Sequence, residues 1–132
     1  MKTTIWIISA LLILFSISLI GATRQSDQQY GVWLRVAQLD TLLADKDPAI
    51  VDIRTPMEFR TGHLAGAMNL PLQSLDRSVA KLDKNRPLLI YCNTVNRVAA
   101  SLPIFKENGF ETVYMLDGGY TALRESGYPL VR

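Results

Sequence analysis

"VDIRTPMEFRTGHLAGAMNLPL", residues 51–72, contains a strand end, a helix start, a turn and a second strand candidate in close succession. The apolar run "AIVDI" (49–53) has strand length and is bounded by turn residues. Thr55-Pro56-Met57-Glu58 puts a threonine at the N-cap, a proline at the first helical position and a glutamate at the third. That is a capping box, so the spacing predicts a helix beginning at Pro56. "AMNLP" (67–71) is a less apolar strand candidate.

The same alternation continues on both sides. "LLIY" (88–91) and "TVYML" (112–116) are continuous apolar runs, as expected of strands covered on both faces, and "VWLR" (32–35) is a further candidate. Val36, Leu39, Leu42 and Leu43 have helical spacing, and Ser74 opens a segment with Leu75, Val79 and Leu82 on one face. Val98, Leu102 and Phe105 share another face, closed by Asn108-Gly109-Phe110 as a glycine C-cap. Pro103 removes one hydrogen bond there and predicts a kink at Ala99. A last helix over about Tyr120 to Ser126 ends at Gly127, with Pro129 beyond. Strands alternating with helices predict an α/β fold, a parallel sheet with helices on both faces.

The 132 residues are 48 % hydrophobic with a net charge of +2. No basic run or stripe points to nucleic acid. Residues 1–22 carry one charge, Lys2, and the 18 residues from Ile5 to Ala22 are apolar or small. As a helix at ~1.5 Å per residue they reach about 27 Å, just enough to span a bilayer. Two readings stand: a signal peptide, for which Ile20 makes a poor cleavage site before Gly21-Ala22, or a membrane anchor with Trp6 at its interface. Either places the folded part in the periplasm or otherwise outside the cytoplasm, free or held by one span. The only membrane contact expected is through residues 5–22, if uncleaved. The polar stretch 23–31 reads as a linker and 32–132 as one domain, expected to be a monomer.

The chain has one cysteine, inside "LLIYCNTVNRVAA" (88–100). A lone thiol in an exported chain signals an intermolecular bridge, a reactive group or a small buried hydrophobe. The polar residues Asn93, Thr94 and Asn96 argue for a loop and an exposed sulfur. Ligands of open α/β sheets bind beyond the carboxyl ends of the strands. A helix starting just after Cys92 would aim free N–H groups at the sulfur, and with Arg97 would favour thiolate over thiol.

Three stretches carry a family resemblance. Residues 51–72 resemble the rhodanese-like domain signature, D-x-R, then E-[FY], then G-H-[IL]-x-G-A-x-N-[IVL]-P. "YCNTVNR" (91–97) is similar to that family's C-x-x-G-x-R loop, and "VYMLDGGYTAL" (113–123) to its closing D-G-G-[FYW] segment. The resemblance covers about residues 32–132 and implies a five-stranded parallel sheet and sulfur transfer through a cysteine persulfide. By position, Cys92 is the nucleophile and Asn93, Thr94, Val95, Asn96 and Arg97 form the persulfide-binding loop, which Arg97 completes. A sulfur donor such as thiosulfate and a cyanide or small-thiol acceptor are the implied partners. No metal or other cofactor is called for. His63 falls in the G-H pair, a structural position in the family.

Residues around the signature leave alternatives open. Asp52, beside Arg54, is either a turn residue or a group that orders the active-site loop. Glu58 is explained by the capping box, with an i, i+4 partner in Arg54. Asp117-Gly118-Gly119 reads as a turn. Val95 stands where the family has glycine. If that position needs a positive φ, valine there costs about 1–2 kcal/mol or forces another loop shape. The loop has no cation besides Arg97, so a dianionic donor is poorly served. A non-catalytic binding or sensing module is the alternative. A phosphatase or arsenate reductase is disfavoured, because only four residues separate Cys92 from Arg97.

Overall fold

Five strands pair in parallel: β1 (Val32–Leu34), β2 (Ala49–Asp52), β3 (Met68–Asn69), β4 (Leu88–Tyr91) and β5 (Val113–Leu116). Their spatial order is β1-β5-β4-β2-β3. The computed structural model describes residues 29–132. The apolar segment 5–22 and most of the 23–31 linker lie outside the described residues. Among the described residues, no helix is long and apolar enough to cross a membrane.

Every strand expected from the sequence is present, the less apolar ones shortened to two or three residues. The helices are α1 (Leu39–Lys46), α2 (Pro56–Thr61), α3 (Leu75–Ser78), α4 (Asn96–Glu107) and α5 (Gly119–Glu125). The segment after Ser74 is broken: α3 is a single turn, flanked by 3₁₀ turns at Leu72–Ser74 and Val79–Lys81. α4 runs continuously through Pro103. It ends as the sequence predicts, with Gly109 at φ +83° and the Phe110 N–H donating to the Phe105 carbonyl at 3.1 Å. The Phe105 and Phe110 rings then meet edge to face, 5.8 Å between centroids.

Two apolar layers sandwich the sheet. Leu75, Val79, Val98 and Phe105 cover one face, meeting Leu88 and Ile90 of β4. Leu39, Leu42 and Leu123 cover the other, meeting Leu89 and Tyr91. The alternation along β4 is the period of two of a pleated strand, with both faces buried as in parallel sheets generally.

The strand order places the functional crevice. From β2 the chain moves outward to edge strand β3, and from β4 it moves the opposite way to β5. β2 and β4 are neighbours, with Asp52 beside Tyr91 at their carboxyl ends. Loops leaving such a pair diverge and open a crevice between them.

Candidate active site

The β2 bank of the crevice is built on a buried ion pair. Asp52 and Arg54 are 0 % and 1 % exposed. Arg54 Nη2 donates to Asp52 Oδ2 at 2.6 Å, its Nε to both carboxylate oxygens at 3.0 Å, and its backbone N–H to Oδ1 at 2.9 Å. The Gly62 carbonyl takes a further Nη2 hydrogen bond at 2.6 Å. Burial works against the Arg54 charge, but the hydrogen bond and charge of Asp52 outweigh it and hold the guanidinium protonated. The expected Arg54–Glu58 pair does not form, because Asp52 already occupies the guanidinium. Tyr91 lies on the same buried side. Its hydroxyl accepts from the Leu64 N–H at 3.1 Å, and burial, then the Asp52 charge, push its pKa up.

From this pair a chain of contacts runs to the cysteine loop. The Arg54 guanidinium lies 3.9 Å from the Tyr120 ring centroid. The Tyr120 N–H donates to the Cys92 carbonyl at 2.8 Å. Thr121 adds two hydrogen bonds to the Asn93 carbonyl, from its N–H at 3.1 Å and its hydroxyl at 2.9 Å. Gly119 makes this approach possible. Its φ is +54°, and a Cβ there would lie 2.3 Å from the Cys92 carbonyl oxygen and 2.6 Å from that of Thr94. The Asp-Gly-Gly turn is therefore a buttress of the loop, a role its reading as a turn misses. The usable signal is the glycine pair itself, placed straight after a strand.

Cys92 follows β4 and is 1 % exposed, within the layer that contains Leu88, Ile90 and Val98. The expected exposed sulfur is corrected here. The side-chain alternation of β4 continues one residue past the strand and turns Cys92 into the layer under α4. Asn93, Thr94 and Asn96 are exposed and Val95 is half-buried. The N–H groups of residues 93–98 donate to no acceptor among the described residues. These are the loop and first-turn amides whose partners a helix N-terminus leaves open. Val95 is the N-cap of α4 with φ −127° and ψ −23°, so the loop does not take here the positive φ that favours glycine. Of the two outcomes open for valine here, strain at a positive φ or another loop shape, the second is found.

Arg97, at the end of the loop, has its guanidinium hydrogen-bonded to Glu58. It forms a bidentate pair with Glu58 across the crevice, Nη1 to Oε2 at 2.8 Å and Nη2 to Oε1 at 2.7 Å. The two side chains are 28 % and 32 % exposed. Glu58 also serves its capping box, Oε2 accepting from the Thr55 N–H at 2.9 Å and hydroxyl at 2.8 Å. The Arg97 hydrogen bond, with Thr55 assisting against partial burial, lowers the Glu58 pKa to about 2. Reciprocally, the hydrogen bonds it donates to Glu58 hold Arg97 protonated, with a smaller contribution from the nearby Cys92. Glu58 is thus a site residue, through a partner 39 positions away. His63 stacks on Phe59 at 3.6 Å between centroids, and its Nδ1 is 2.9 Å from the Phe59 carbonyl. Its backbone pairs with Val131. Beside the loop, Asn93, Tyr120, Thr121, Arg124 and Glu125 line a cleft of about 480 Å³.

A switch-point crevice with a cysteine at the mouth of one strand and a buried Asp-x-Arg pair at the next matches a known family. The family model described as rhodanese-like domain matches residues 35–126, and the chain belongs to that family. A thiosulfate sulfurtransferase GlpE from Shewanella oneidensis is 37 % identical over 93 residues, 70 % of this chain and 92 % of that protein. One from Pseudomonas aeruginosa is 34 % identical over 87 residues, 66 % of this chain and 78 % of its own. In structure, a rhodanese-related protein from Thermoplasma volcanium superposes with a TM-score of 0.69 at 25 % identity, covering 76 % of this chain and 97 % of the other.

Proposed function

We propose that the protein is a sulfurtransferase that carries a sulfane sulfur on Cys92. The observation behind this is the run of six unpartnered N–H groups, residues 93–98, directly after the chain's one cysteine. A persulfide, Cys92–S–S⁻, has one negative charge to be held, and amides fixed in a helix mouth hold it without reorganising. Its formation needs no base once the thiolate is present: Sγ attacks the outer sulfur of the donor, and the donor's S–S electron pair leaves with the remaining fragment. A thiophilic acceptor, cyanide or a small thiol, then takes the sulfur and returns the thiolate, in a ping-pong cycle. The relatives' names make thiosulfate the first donor to assay. Asp52 and Arg54 act on this cycle through Tyr120, by holding the loop that presents the amides.

The test is intact-mass measurement after exposure to thiosulfate or a persulfide donor. The wild type should gain one sulfur, and Cys92→Ser none. An equal mass gain in the two proteins, or no gain in the wild type, overturns the proposal.

The burial of Cys92 favours a second reading, a binding or sensing module that keeps the fold. It predicts no thiocyanate from any sulfane donor, with normal folding.

A further inference from the structure

We infer that the sulfur donor is an organic persulfide, with at most one charge on its sulfur, in preference to dianionic thiosulfate, and that Glu58 is the residue that sets this preference. The inference rests on the sulfurtransferase reading above and goes on to name the donor class.

The argument is a count of the charges the crevice can offer. Two cations stand at its banks, Arg54 and Arg97, and each is held by a carboxylate of its own. Asn93, Thr94, Val95 and Asn96 are uncharged. The adjoining cleft is lined by one cation, Arg124, and one carboxylate, Glu125, so its lining has no net charge. What the cysteine loop itself offers beside Cys92 is the set of amides at residues 93–98, without acceptors among the described residues, dipoles suited to one negative charge. Thiosulfate brings two charges, and the sulfite it leaves behind also carries two. To gain a cation for its sulfonate oxygens it must displace Glu58 from Arg97, where the two carboxylate oxygens already occupy the guanidinium fork at 2.7 and 2.8 Å. Glu58 is itself fixed by Thr55, so it does not swing away freely. The carboxylate is in effect a built-in oxyanion on the one arginine of the loop.

An organic persulfide makes no such demand. The Cys92 thiolate attacks the outer sulfur of R–S–SH and a new S–S bond forms. The donor's S–S bond breaks, its electron pair leaves on R–S⁻, and the persulfide proton passes to that leaving thiolate. The products are Cys92–S–S⁻ and R–SH, with the single charge on the outer sulfur among the amides and no net oxidation. Glu58 is a positioning residue in this scheme, acting on the donor through Arg97.

The experiment compares kcat/KM for 2-hydroxyethyl persulfide, whose one ionisable group is the persulfide, and for thiosulfate, above a Cys92→Ser background, in wild type and Glu58→Gln. Glutamine retains the capping hydrogen bonds but gives up the charge. Wild type should favour the persulfide by about tenfold or more, and Glu58→Gln should narrow the ratio by about fivefold through a lower KM for thiosulfate. An altered kcat alone would mark a merely structural role for Glu58 and count against it as the determinant. Equal or better use of thiosulfate by the wild type, or an unchanged ratio in the variant, overturns the inference. If Glu58→Gln fails to fold, the wild-type ratio decides alone. Loading of Cys92 by thiosulfate in preference leaves the sulfurtransferase reading intact and removes this one; loading by neither donor removes both.

Discussion

Two acid–arginine pairs stand at the head of the same crevice, and they differ in nearly every physical respect. Asp52–Arg54 is sealed from solvent, formed between residues two apart, and satisfied further by Gly62 and the face of Tyr120. Glu58–Arg97 is about one-third exposed, joins residues 39 apart, and spans the gap between α2 and the cysteine loop. The first has no freedom to exchange partners, because either charge left alone would be stranded at full desolvation cost. Water is available to both members of the second if they part. The comparison teaches a division of labour: the sealed pair holds the loop's frame, and the open pair is the one an incoming anion can reach.

The same substitution at both arginines separates these roles. Arg54→Met leaves Asp52 buried without a partner and should cost about 3–5 kcal/mol in urea unfolding. Arg97→Met leaves Glu58 with Thr55 and water, and should cost about 1 kcal/mol or less. Equal losses would break the distinction. A smaller loss at Arg54 than at Arg97 would reverse it.

Acid provides a finer probe of the open pair alone. The Glu58 carboxyl titrates at about 2 when folded, against an ordinary value of 4.5. A lowered folded-state pKa means the contribution is fully present above the ordinary value and is lost as pH falls toward 2. The stability difference between wild type and Glu58→Gln should therefore be constant at neutral pH and shrink between about pH 4.5 and pH 2. A difference that stays flat through that window would show that Glu58 and Arg97 are not paired in solution.

What the sequence conveyed follows the range of the interactions. The capping box at Thr55, the glycine C-cap at Gly109 and the strand runs are set by neighbours within a few positions, and each appears where its pattern places it. The pairing of Glu58 with Arg97 was not legible. It depends on β2 and β4 lying side by side with Asp52 level with Tyr91, and no spacing rule encodes that register. The i, i+4 rule pointed Arg54 at Glu58, but Arg54 precedes α2 and the rule applies only within a helix. The burial of Cys92 was legible after all. Leu88, Ile90 and Cys92 share one parity along the strand, and the polar residues that follow say only where the loop begins.

The smallest expected effect is at Val95, and it tests the loop more sharply for being small. A family comparison alone suggests that glycine at this position would relieve strain and raise activity. The backbone there is at φ −127°, outside the positive-φ region in which glycine has its advantage. Glycine would instead enlarge the unfolded ensemble, so Val95→Gly should destabilise by about 0.5–1 kcal/mol. Sulfur loading of Cys92 should not increase. A clear gain in loading would mean that the working loop takes a positive φ at residue 95. The shape that pairs Arg97 with Glu58 would then be only the resting one, and the open pair would be a latch the donor must release.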